Sequence, residues 1–100
     1  MVRRLLIFGL DAAPPKLLFE EFRDKLPNFS RLIDKSIYGP MRSCDPPITI
    51  PAWMVMMTGR EPGELGLYGF RHRKDFDYRE FTIPSSRVIH YKRAWDYLGE

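Results

Sequence analysis

The stretch Asp45-Pro46-Pro47-Ile48-Thr49-Ile50-Pro51-Ala52-Trp53, continuing Met54-Val55-Met56-Met57-Thr58-Gly59-Arg60, decides how the rest of the chain is read. Pro46 and Pro47 hold the approach extended, because a proline ring fixes its own φ and crowds the residue before it. Pro51 suits the first turn of a helix, where a missing N–H loses no partner. Ala52 to Met57 are apolar on every side of a helix, which predicts a helix buried all round. Gly59 is a natural left-handed stop. Thr49 is expected at the N-cap or just before it. There its hydroxyl lies where unpaired N–H groups and the helix dipole favour an anion. Position alone favours the plainer role of an ordinary cap.

Upstream, Arg3-Arg4-Leu5-Leu6-Ile7-Phe8-Gly9-Leu10 is a continuous apolar run behind two charges. Such a run predicts a strand buried on both faces of a parallel sheet. Asp11 follows at its carboxyl end, the place where open α/β sheets bind ligands. It is either a turn or cap residue before Ala12-Ala13-Pro14-Pro15, or a metal ligand. Residues 15–25 read as a helix, with Leu17, Leu18, Phe22 and Leu26 near helical spacing. Residues 27–35 read as a second helix, capped by Asn28 and burying Phe29, Leu32 and Ile33. Ser36 to Cys44 reads as a second strand, and Gly39-Pro40 within it argues for an edge or a bulge. A right-handed crossover between two parallel strands brings Asp11 and the loop before Thr49 to one sheet edge.

Downstream, Gly59 to Phe70 is turn-rich, with a tight turn at Glu61-Pro62-Gly63 and flexibility at Gly66 and Gly69. Arg71-His72-Arg73-Lys74 is the strongest positive cluster. Such a run is ordinarily a solvated face, and its alternative is a phosphate-steering patch. Phe81-Thr82-Ile83 reads as a strand, Pro84-Ser85-Ser86 as a turn, and His90 as a surface or capping residue. Lys92 to Glu100 reads as an amphipathic helix with Ala94, Trp95 and Leu98 inward.

The 100 residues allow one small domain with a modest core. Sixteen Lys and Arg against 13 Asp and Glu give +3, which does not demand a nucleic-acid partner. Cys44 is the only cysteine, so no internal disulfide is possible and a cytoplasmic location is expected. Leu5 to Leu10 is too short, and too soon interrupted by Asp11, for a signal peptide or a membrane span.

Taken together, Thr-x-Pro-Ala-Trp at 49–53, Thr-Gly-Arg-x-Pro-Gly-Glu at 58–64 and Gly-Leu-Tyr-Gly-Phe at 66–70 resemble the nucleophile region of the alkaline phosphatase superfamily. The branch is the type I phosphodiesterase/nucleotide pyrophosphatase group. Leu-Pro-Asn-Phe-x-x-Leu at 26–32 and Trp-Asp-x-Leu-Gly-Glu at 95–100 fit structural segments of the same family. The resemblance implies an α/β fold, the N-terminal portion of a three-layer αβα architecture with a mostly parallel sheet. It implies that Thr49 is both nucleophile and metal ligand, and that Asp11 binds a divalent cation. Two divalent metal ions are implied, Zn²⁺ or Mn²⁺, acting on a small phosphate-ester substrate. The family supplies its remaining ligands from later segments, so residues 1–100 are expected to be the N-terminal segment of a larger catalytic domain, inactive alone. The x-Pro context belongs to Thr49 and not to Cys44, which is read as a small buried hydrophobe. The family's phosphate-holding Asn has no counterpart in Leu67-Tyr68-Gly69-Phe70, a departure that bears on substrate choice.

Two alternatives belong to other classes. Leu5 to Leu10 and Gly66 to Phe70 resemble weakly the two short motifs of an RNA-recognition domain, though Arg71-His72-Arg73 interrupts the second. A non-catalytic relative could keep the fold as a binding module. Neither a membrane nor a specific nucleic acid is expected as a partner.

Overall fold

In a computed structural model of the chain, residues 4–100 are described. They fall into two compact units, one running to Met41 and the other Arg42–Glu100.

The first unit is organised around one aromatic cluster. Pro14 opens a helical turn by accepting the Leu17 N–H at 3.0 Å. The turn widens into a π-helical segment over Leu17–Glu21, closed by the Phe22 N–H on the Leu17 carbonyl at 3.0 Å. A 3₁₀ turn over Arg23–Lys25 follows, then helix α1 over Pro27–Ile33. The π segment accommodates an extra residue per turn, which alters the expected stripe. Phe19, not Phe22, is the ring turned to the interior. It stacks on Phe29 with centroids 6.4 Å apart and meets Tyr38 edge-on at 5.1 Å. Pro27 takes the first helical position behind Leu26, so Asn28 lies inside α1 and accepts from the Arg31 guanidinium instead of capping. Ile33 is buried, whereas Leu32 faces solvent. Arg23 donates to Asp34 at 2.8 Å and to the Tyr38 hydroxyl at 3.5 Å.

The two expected strands are not formed. Arg3 lies outside the described residues. Residues 4–10 pair with nothing described and are exposed, as are residues 36–43, with Ile37 fully open to solvent. A strand buried on both faces exists only where neighbours take its N–H and C=O groups and cover both faces. The apolar pattern carries the preference but not the partners.

The second unit is built on α2, Thr49–Thr58. Its N-cap is Ile48, extended at φ −113° and ψ 147°, so Thr49 is the first helical residue. Pro51 falls within the first turn and is buried. Gly59, at φ 66°, ends the helix by donating its N–H to the Val55 carbonyl at 2.8 Å. A one-turn helix α3, Pro62–Leu65, replaces the expected tight turn. The Glu64 carboxylate accepts the Glu61 N–H at 3.0 Å, and Gly66 at φ 65° closes α3. The two left-handed glycines fold Leu65 and Leu67 back beneath α2. With Ile89 they form the core, against which Ile50, Met54 and Val55 pack. Leu67 is 2% exposed. A cavity of about 190 Å³ remains beside this core, lined by Trp53, Met54, Leu67 and Ile89 among others.

This packing corrects the expectation that α2 is enclosed. One face meets Leu65, Leu67 and Ile89, while Met56 is 49% exposed. An apolar surface on all sides states what a helix can bury, and the neighbours decide what it does bury.

Beyond α3, β1 (His72–Arg73) and β2 (Phe81–Thr82) pair antiparallel, His72 opposite Thr82 and Arg73 opposite Phe81. The Lys74 N–H donates to the Glu80 carbonyl at 3.1 Å and continues the ladder, and their side chains form an ion pair at 2.9 Å. The basic run is thus partly a hairpin strand. A 3₁₀ turn over Ser86–Val88 leads to α4, Ala94–Leu98. The Asp96 carboxylate anchors α4 by accepting the Arg93 backbone N–H at 2.8 Å and its Nε at 2.9 Å. Trp95 and Leu98 are exposed and only Ala94 is half-buried, so the expected inward face is not covered by the described residues.

Candidate active site

Thr49 is placed by its neighbours on both sides. The extended Ile48 delivers the chain to α2, and the proline ring of Pro51 holds the first turn. No side chain caps that turn. The first four N–H groups of a helix have no intrahelical acceptor. Pro51 has no N–H, and the Ala52 N–H already donates to the Ile48 carbonyl at 3.0 Å. The N–H groups of Thr49 and Ile50 are therefore the first-turn donors offered to a ligand, beside the half-buried Thr49 side chain. Dipole and donors together favour an anion there.

The 67–70 loop runs beside this helix start. A Cβ placed on Gly69 would lie 3.9 Å from Ile48 Cδ1. Arg60, just past the end of α2, pairs with Glu64 at 3.2 Å and lies over the Tyr91 ring at 5.0 Å. The i,i+4 spacing of Arg60 and Glu64 was the available signal for the first contact; nothing in sequence announced the second.

Asp11 belongs to the first unit, where it occupies an exposed turn after the apolar run. The next residue, Ala12, is left-handed at φ 53°. That conformation costs a non-glycine residue roughly 1–2 kcal/mol, and such strain concentrates at functional turns. Among the described residues, no group of three or more His, Cys, Asp or Glu side chains gathers as a metal centre. Asp11 and Thr49 are nonetheless oxygen donors of the kind that Zn²⁺ and Mn²⁺ accept. Cys44 is half-buried, its thiol 3.4 Å from the Pro46 carbonyl, a filler more exposed than expected.

His72 is a residue whose setting sequence reading missed. It is half-buried, and its Nε2 accepts the Tyr68 backbone N–H at 3.2 Å. An accepting Nε2 leaves the ring proton on Nδ1. His90 is exposed, as a surface residue.

An RNA-recognition domain presents a four-stranded sheet, and the described residues pair only His72–Arg73 with Phe81–Thr82. No helix of the described residues is long and apolar enough to cross a membrane.

Comparison with known protein families gives a match. The family model, type I phosphodiesterase / nucleotide pyrophosphatase, matches residues 5–99. No curated protein and no solved structure matches the chain. The matched range takes in both Asp11 and the whole of α2, and the chain belongs to the type I phosphodiesterase/nucleotide pyrophosphatase family.

Proposed function

We propose that this chain is the N-terminal segment of a metal-dependent phosphoryl ester hydrolase of the three-layer α/β type, with Thr49 as nucleophile. The observation that carries the reading is the uncapped first turn of α2, with Thr49 as its first residue. Two backbone N–H donors then lie in the turn that begins with a hydroxyl-bearing residue. The family match supports hydrolysis at phosphorus as the class of chemistry.

Asp11 and Thr49 would hold a divalent cation together with ligands from later segments of the enzyme. When bound, such a cation lowers the pKa of a coordinated hydroxyl and offsets phosphoryl charge. The Thr49 and Ile50 N–H groups donate to a non-bridging phosphoryl oxygen, and their alignment with the helix axis adds partial positive charge. Thr49 Oγ gives up its proton and forms a bond to phosphorus as the ester P–O bond breaks, and the departing oxygen leaves protonated as the alcohol. Water then attacks the same phosphorus, breaks its bond to Thr49 Oγ and returns a proton to that oxygen, releasing phosphate from a monoester or a phosphate monoester from a diester.

The test is hydrolysis of an aryl phosphodiester and an aryl monoester by the longer enzyme with added Zn²⁺ or Mn²⁺. Thr49→Ala is expected to lower kcat by at least about 10³-fold. Thr49→Ser, which keeps a hydroxyl, retains part of the rate. Residues 1–100 alone give no metal-dependent turnover, because one carboxylate and one hydroxyl do not complete a cation's coordination. Undiminished activity of Thr49→Ala overturns the nucleophile assignment, and no activity in the parent leaves the non-catalytic relative as the better description.

A further inference from the structure

The groove of the β1–β2 hairpin has no part in the reading above. It is a concavity of about 670 Å³ lined by Gly66, Tyr68, Arg71, His72, Arg73, Tyr78 and Phe81. That volume lies in the range of small-molecule sites. Its lining holds cations and hydrogen-bond donors and no carboxylate. Arg73 is held with its guanidinium 4.5 Å from the Tyr78 ring centre, a cation–π contact that orients it. His72 is fixed by the Tyr68 N–H, so its Nδ1–H is the donor left to a ligand. Tyr68, Tyr78 and Phe81 are 52%, 76% and 54% exposed, so their rings are open to stacking.

Cations and donors with no carboxylate among them select an anion, and open aromatic rings beside them select a planar apolar group on the same molecule. From this juxtaposition we propose that the groove is a binding site for an aromatic phosphate or phosphonate. Arg71, Arg73 and His72 take the anionic group, and Tyr78 and Phe81 take the ring. The site is distinct from the Thr49 helix start. Through Gly69 it is joined to the loop that packs on Ile48, the residue before Thr49. An anionic aryl group held here is therefore carried on the segment that flanks the first turn of α2. Binding by the groove does not depend on Thr49 being a nucleophile.

The experiment uses phenylphosphonate, which has no ester bond to cleave. The 100-residue chain is titrated at moderate salt and followed by two-dimensional amide NMR, with methylphosphonate and benzyl alcohol as separate probes. Phenylphosphonate is expected to shift amides across residues 68–82 and to bind about tenfold more tightly than either probe, since each carries half of the recognised chemistry. Arg71→Gln, a change at an exposed side chain, and Tyr78→Leu are each expected to weaken phenylphosphonate severalfold. Raising the salt weakens the phosphonates and leaves benzyl alcohol unaffected. Thr49→Ala leaves groove binding unchanged, so failure of the catalytic reading is seen separately. The proposal is overturned if methylphosphonate binds as tightly as phenylphosphonate, if the shifts fall on residues 48–52 instead, or if both groove variants bind like the parent.

Discussion

Replacing Gly59 by alanine isolates the backbone device that ends the helix carrying Thr49. Gly59 sits at φ 66°, and a Cβ added there meets nothing within 4 Å. The substitution therefore brings no clash, and its whole effect is conformational. A left-handed backbone costs an L-residue roughly 1–2 kcal/mol. Alanine also narrows the unfolded ensemble, which returns about 0.4–1 kcal/mol. The net expectation is a loss of about 1 kcal/mol, or a Tm lower by roughly 4–8 °C for a chain of this size. Gly99 is the internal control, because it ends α4 in the ordinary right-handed region at φ −87°. A Cβ there would sit 3.4 Å from the Trp95 carbonyl oxygen, an ordinary contact. Gly99→Ala is expected to be neutral or slightly stabilising. Gly59→Asn is expected to cost less than Gly59→Ala, since asparagine tolerates the left-handed region. Thermal and urea unfolding by circular dichroism, on parent and variants side by side, gives the comparison. Equal stability of Gly59→Ala and parent would refute the reasoning, and so would an equal loss at Gly99.

Three further outcomes follow from the packing and the charges. Leu67→Ala removes the most buried side chain of the core and should cost about 2–3 kcal/mol in urea unfolding, toward the lower end for Leu→Ala because the adjoining cavity already leaves room to relax; a loss below about 1 kcal/mol would show that this cluster is not the core. The Arg93 backbone N–H, and then its guanidinium, hold the Asp96 carboxyl below its ordinary value of 3.8. A depressed carboxylate stabilises the fold above that value and loses its contribution as the pH falls through the lower folded value. The N-terminal end of α4 should therefore loosen below about pH 3.8 in the parent, and Asp96→Asn should show less of that acid-dependent change by NMR. Finally, Mn²⁺ added in small increments to the longer enzyme should broaden the Thr49 amide; an unbroadened Thr49 would contradict a cation at the start of α2.

What sequence reading captured is local. The Gly59 stop, the Pro51 position and the helical character of residues 27–33 rest on φ restrictions and missing N–H groups, which act within a few residues whatever the rest of the chain does. The N-terminus of α2 was placed to within a residue, because helix starts blur at that scale. The differences come from missing partners and from local backbone geometry that composition does not encode. Residues 4–10 have the composition of a buried strand, yet a strand is defined by the chains beside it. Leu67 reads in sequence as a loop residue, although the left-handed Gly66 before it turns it under α2. Phe19 replaced Phe22 because a π turn shifts the helical register by one residue, which no periodicity count anticipates. At the candidate site, Thr49 and Asp11 were visible as residue types in context. The setting of His72, pinned by Tyr68 and opened onto a groove, depends on a hairpin that pairs two residues with two.

The central claim is that Thr49 accepts the phosphoryl group. The direct measurement is to mix the longer enzyme with an aryl phosphodiester in the presence of Zn²⁺, quench with acid during turnover, and map phosphorylation by peptide mass spectrometry. The account predicts a phosphoryl ester on Thr49, present in the parent and missing from Thr49→Ala. Full turnover with the modification on another residue, or with Thr49→Ala as active as the parent, would contradict it.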